Sequence, residues 1–175
     1  MAVAGRISRI EDGTVTNAKI ADSAGIVSSK LATPGKILQV INAVNTTQST
    51  HSSATAADLL TAAITPSSTS SKIYVQAVIP FTNASDGDAS FFVDRDSTRL
   101  PSGGITSALI NTGGATNNNA MMSMTATYID SPSSTSELTY KLKVVTAGAT
   151  MYINRRGLNT GFTGATTLTL MEIAG

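Results

Sequence analysis

Apolar and polar positions alternate with a period of two over much of the chain beyond Pro34-Gly35. In KIYVQAVIPF, Ile73, Val75, Ala77, Ile79 and Phe81 share one side of an extended chain, and Tyr74, Gln76, Val78 and Pro80 share the other. In LTYKLKV, Leu138, Tyr140, Leu142 and Val144 alternate with Thr139, Lys141 and Lys143 in the same way. Each pattern predicts an antiparallel strand with one face in a core and one in water. Further strands are expected over Lys36 to Val44, Leu59 to Thr65, Ala89 to Asp94, Ala120 to Ile129, Thr150 to Asn154 and Thr166 to Ile173. The Ala-rich stretch Ala54 to Ile64 also suits a helix, and its second half reads as strand. Short strands set apart by Gly, Pro, Asn and Ser clusters predict an all-β, antiparallel β-sandwich of jelly-roll type over residues 36–175.

The last strand, TTLTLMEIA, carries apolar side chains on both faces: Leu168 and Leu170 on one, Met171 and Ile173 on the other. A small sandwich has one core, so a second covered face predicts a subunit interface at these four residues. The pentapeptide PSSTS occurs twice, at Pro66 to Ser70 and Pro132 to Ser136, each time directly before one of the two cleanest alternating strands. Proline ends a strand and the hydroxyls satisfy a turning backbone, so both copies read as corners between strands.

Residues 1–35 break the pattern. IEDGTVTNAKIADSAGIVSSKLATPGK holds a weak repeat in which Lys19-Ile20 returns as Lys30-Leu31 after eleven residues. A helix through Asn17 to Leu31 is the local alternative, weakened by Gly25 and Ser28-Ser29. Either way, few large side chains are present to offset the entropy of ordering the segment alone. The expectation is an extended N-terminal arm that packs on a partner, on other copies of the chain, or back on its own domain.

Composition narrows the function classes. Only 13% of the 175 residues are charged and the net charge is +1. Arg155-Arg156 is the only adjacent basic pair, which argues against nucleic-acid binding. No run approaches the roughly 20 apolar residues of a membrane span, and the first residues lack the apolar core of a signal peptide, so synthesis and assembly in a cytoplasm are expected. The chain has no cysteine, which removes thiol chemistry, disulfides and Cys-ligated zinc.

Several phrases together resemble one family. IEDGTVTNAKIADSAGIVSSKL resembles the IxDGTIxxAKIADGAVTSxKL segments near the front of phage tail-fibre and virion structural proteins, above all those of marine and cyanobacterial phages. GKILQV, ITPSSTSSKIYV, VDRDST, YIDSPSSTS before TYKLKV, YINR and TLTLMEIA resemble consecutive blocks of that family's C-terminal domain. The resemblance implies a non-enzymatic virion component and a homotrimer whose arm attaches it to capsid or tail proteins. The arm holds about two repeats rather than many, which suits a short fibre, spike or decoration subunit better than a long fibre. Its apolar residues Ile10, Val15, Ile20, Ile26 and Leu31 are the expected partner contacts.

Candidate chemistry is sparse. His51 is the only histidine, among Ser and Thr, and no G-x-S-x-G elbow is present. Asp94 and Asp96 have the spacing of a glycosidase pair but read better as a hairpin turn. Asp86-Gly87-Asp88 lacks the rest of a calcium loop, so no metal or cofactor is expected. Arg155-Arg156 suits either an acidic partner or a solvated strand end. Asn45-Thr46-Thr47 and Asn83-Ala84-Ser85 match the glycosylation sequon, which has meaning only in a secretory pathway. The polar loop from Asn111 to Asn119, with Asn117 and Asn118, is the candidate receptor loop, with a host-surface glycan as its partner; simple turn chemistry is the alternative.

Overall fold

The computed structural model describes residues 35–84, 88–100, 110–112, 119–158 and 160–175, with 110–112 as backbone only. The chain divides into two units, Met1–Thr33 and Pro34–Gly175. The arm residues Ile10, Val15, Ile20, Ile26 and Leu31 lie outside the described residues, as do Asn117 and Asn118.

The described residues form strands β1 (Ile37–Asn45), β2 (Ser49–His51), β3 (Ala57–Ile64), β4 (Lys72–Asn83), β5 (Asp88–Arg95), β6 (Thr98–Leu100), β7 (Ile110–Thr112), β8 (Met122–Asp130), β9 (Leu138–Ala147), β10 (Met151–Ile153) and β11 (Thr166–Ile173). All paired strands are antiparallel. Both β10 and β11 run along one edge of β4, at Phe81 to Asn83 and at Lys72 to Val78, so they form a single interrupted line. The strands β1 and β2 form the matching line beside them, and β6 and β7 share the edge of β5 that β9 leaves free.

Counted as lines in chain order, the first, eighth, third and sixth make one sheet, and the second, seventh, fourth and fifth make the other. The pairings are nested: first with eighth, second with seventh, third with sixth, fourth with fifth. A long antiparallel hairpin rolled once so that successive lines alternate between two sheets gives this order, which is the jelly roll. The helix alternative for 54–64 gives way to β3, whose Ala62 and Ile64 point inward on alternate positions while Thr61 and Ala63 face water.

The core lies between the sheets. Ile73, Val75, Ala77, Ile79 and Phe81 of β4 face Leu138, Tyr140, Leu142 and Val144 of β9 and Ala89, Phe91 and Val93 of β5, with Phe81 and Phe91 tilted ring against ring at 5.6 Å. In β11 the inward set is Leu168, Leu170 and Glu172, all 0% exposed. This corrects the expectation of an interface at Leu168 and Leu170. Side chains filling the sandwich core cannot also touch another subunit, and only Met171 and Ile173 remain on the outer face.

Both PSSTS copies are corners, and both cross between the sheets at the same end, from β3 to β4 and from β8 to β9. They share one local bond: the hydroxyl of the third residue accepts the N–H of the fifth, Ser68 from Ser70 at 3.2 Å and Ser134 from Ser136 at 3.0 Å. Each corner also lies against a buried carboxylate. Glu172 Oε1 accepts from Ser67 N–H (2.7 Å), Ser67 Oγ (2.6 Å) and Ser71 Oγ (2.7 Å), and Oε2 accepts from Gln39 Nε2 (2.6 Å). At the second corner Asp130 takes both oxygens' bonds from Arg95, at 2.7 and 2.6 Å, and another from the Tyr140 hydroxyl at 2.7 Å. Burial and the Asp130 carboxylate push that hydroxyl far above its usual range, which keeps it a donor.

Pro80 stands in a central strand, where its missing N–H is normally disqualifying. Here its carbonyl accepts from Asn154 N–H (2.9 Å) at the gap between β11 and β10, so the absent donor falls where the neighbouring line is broken.

Candidate interaction surface

The outer faces of the two sheets differ in charge. On the face built by β3, β9, β5 and β6, Asp58 lies 3.3 Å from Lys141 and 3.4 Å from Lys143, Lys143 lies 3.1 Å from Asp94, and Asp94 lies 3.4 Å from Arg99. Asp94 holds the Lys143 ammonium above its ordinary value against the opposing effect of partial burial. The Arg99 guanidinium covers the ring of Phe92 at 3.5 Å. Alternating signs across a strand ladder make a solvated face whose charges satisfy one another.

The outer face of the other sheet is uncharged over its open half. Strand register places Val40, Met171, Tyr74 and Ile129 side by side across β1, β11, β4 and β8. The next row is Asn42, Thr169, Gln76 and Thr127, and the one after it Val44, Thr167, Val78 and Thr125. Val40 is 52% exposed, Val44 53% and Ile129 54%, while Met171 and Tyr74 are half-buried. Thr169 donates to Asn42 Oδ1 within the middle row (3.0 Å), and Gln76 donates to the Tyr74 hydroxyl of the row beside it (3.3 Å). Lys72, opposite Ile173, marks the border of this area, and Ile37, 54% exposed, lies at the same end.

Over the other half of this face the chain covers itself. Between β10 and β11 residues 154–158 and 160–165 leave the sheet, bringing Gly164 against Pro80, where any added Cβ would meet Pro80 Cβ at 2.6 Å. Asn154 anchors the excursion at φ +58°: Nδ2 donates to the carbonyls of Asn45 (2.8 Å) and Thr47 (3.1 Å), and Oδ1 accepts from Thr166 (2.9 Å). Arg155 and Arg156, read as a partner site or a solvated strand end, organise this loop instead. Arg155 stacks 4.5 Å from the Tyr152 ring and donates to the carbonyls of Arg156 and Gly157, and Arg156 stacks 4.3 Å from the Phe162 ring.

The enzymatic candidates do not converge. His51 lies in β2 with Nε2 3.0 Å from the Ser53 carbonyl oxygen. Asp94 joins the charged ladder, whereas Asp96, at φ +52° in the β5–β6 turn, accepts the Thr139 N–H at 3.0 Å. Among the described residues no three His, Asp or Glu side chains are grouped to hold a metal. Asn83 is 0% exposed, with both side-chain polar atoms lacking a hydrogen-bond partner among the described residues, and so is not placed to present a sequon. Of the candidate receptor loop, Asn111 lies in β7, paired with Ser90, and Asn119 is exposed. The sequence reading missed Val40, Tyr74 and Ile129 because a row across four strands is visible only once register is known.

No protein-family model matches the chain, and no curated protein matches it. Among solved structures, the chain is similar to infectious bursal disease virus of the Gt strain, with 16% identity and a TM-score of 0.49 over 81% of this chain and 39% of that one. It is likewise similar to a VP2 subviral particle of the same virus, with 15% identity and a TM-score of 0.44 over 78% of this chain and 37% of that one. The chain therefore spans under two-fifths of the length of these proteins. Likenesses this loose carry no function across, and the jelly-roll assignment rests on the strand pairing.

Proposed function

We propose that the chain is a non-enzymatic structural component of a bacteriophage virion: a short homotrimeric fibre or spike held to head or tail through its N-terminal arm. One observation carries this reading: a jelly roll has one outer face covered by self-satisfying charges and the other left uncharged and partly apolar over its open half. A sheet face that is apolar and free of charge is suited to packing against protein. The resemblance of the arm to virion-protein segments supplies the attachment role for Ile10, Val15, Ile20, Ile26 and Leu31.

A capsid decoration subunit is the second reading, because it needs the same parts, one compact domain and a docking arm. Deleting residues 1–31 tests the role of the arm under both. The shortened chain is expected to fold with an unchanged far-ultraviolet spectrum and to be missing from purified particles. Incorporation at the full-length level would show that the arm is not the anchor. Antibody labelling of intact particles separates head from tail placement.

A further inference from the structure

We infer that the row Val40, Met171, Tyr74 and Ile129 is the centre of a homotypic contact, in which this sheet face packs against the same face of further copies of the chain. The inference rests on the oligomeric reading above and specifies the surface that performs it.

The row runs from one free edge of its sheet to the other, on β1 and β8, so nothing within the sheet encloses it. Its two ends are its most exposed members, Val40 and Ile129, each over half accessible. Charge selects the occupant. The two rows on the Asn42 and Val44 side contain only Asn, Thr, Gln and Val, and Lys72 borders the row on its other side. One bordering lysine is too little for a phosphate backbone, an anionic lipid or a charged peptide, which need clustered opposite charge. A second copy brings equally neutral rows, so the three rows meet without desolvating an ion or opposing like charges. The opposite face of the sandwich, with its Lys, Asp and Arg ladder, would incur both costs. The strand β1 adds a further reason: ILQVINAVN contains no charged residue and no proline, the usual guards of an exposed edge.

Area sets the strength. Three rows across four strands cover roughly 400 Å², about half of what each partner gives to a standard interface. A pair joined by this face alone is therefore weak, and closure around a symmetry axis, where each copy meets two others, makes the contact durable.

The test uses the full-length chain. Sedimentation across a micromolar concentration series compares the wild type with Val40→Lys, Ile129→Lys and, on the charged face, Thr61→Lys. All three positions are exposed, so folding should survive, as checked by unchanged melting. The wild type and Thr61→Lys are expected to associate alike, while each row variant raises the concentration of half-association about tenfold or more. Because the chain has no cysteine, Val40→Cys and Ile129→Cys report directly: under mild oxidation the row predicts intersubunit disulfides, and Thr61→Cys should give none. Row variants that associate like the wild type and fail to cross-link would overturn the contact while leaving oligomerisation through other parts of the chain intact. A wild type that stays monomeric throughout would overturn the oligomer and the contact together.

Discussion

Glu172 shows how a single side chain can fasten a corner. It sits on the core side of β11, in step with Leu168 and Leu170, where an isolated carboxylate would be costly. Burial alone would raise its pKa, but the donors from Ser67, Gln39 and Ser71 outweigh burial and hold it below the usual carboxylate range. The folded value is thus below the unfolded one. The stabilisation is complete above about pH 4.3, the ordinary glutamate value, and is lost as pH falls through the lower folded value. Glu172→Ala, which leaves Ser67 and Ser71 without this acceptor and Gln39 with only the Thr65 carbonyl, should cost about 3 kcal/mol in urea unfolding at neutral pH. Glu172→Gln should cost less, and its deficit against the wild type should shrink as melting is followed into acid; a deficit independent of pH would contradict the ionised, donor-held carboxylate. Asn154 is a second such residue, combining a positive φ with bonds to Asn45, Thr47 and Thr166. Asn154→Ala loses the bonds and strains the backbone. Asn154→Gly loses only the bonds, so it should be the milder variant by about 1 kcal/mol in the same measurement. Neither role is announced by the sequence: a lone Glu in TTLTLMEIA gives no sign that two serines a hundred residues away will meet it.

The elements themselves were largely legible. Alternation marks β4, β9 and β11 because each has one face in the core and one outside, and β1, β3, β5, β8 and β10 fall close to their expected places. The three-residue strands β2, β6 and β7 escape a periodicity argument, being too short to display a period and lying among Ser, Thr and Asn. The strand order also escapes it, since the nested pairs join residues far apart in the chain, as with Ile37 and Ile173. The assignment of Leu168 and Leu170 to an interface failed for a related reason. Both faces of β11 are apolar, and only the neighbouring strands decide which of them is the core. The excursion between β10 and β11 makes a further point, because its fit over β4 needs a residue without a side chain. Gly164→Ala forces a Cβ into Pro80 and should lower stability by about 2 kcal/mol, read as a shift in urea midpoint without change in slope. An unchanged midpoint would mean that the loop does not lie on Pro80.

For the whole molecule, the jelly roll supplies rigidity and two faces of opposite character, and function follows from which face is hidden. The charged ladder lies on one side, and the Val40, Met171, Tyr74 and Ile129 row on the other is the proposed contact with protein. The arm, with apolar residues spaced along few large side chains, is the proposed tether to the particle. Salt should affect the two sides differently. Screening weakens the exposed pairs of the ladder, whereas an uncharged contact persists, so oligomer mass is expected to hold or rise with ionic strength. Dissociation by salt in light scattering would point to a charged interface instead. The most direct measurement is quantitative mass spectrometry of purified virions of the bacteriophage proposed to carry the chain. A homotrimeric virion subunit is expected in intact particles at a fixed copy number that is a multiple of three. Its absence from particles, with abundant free chain in the lysate, would contradict it.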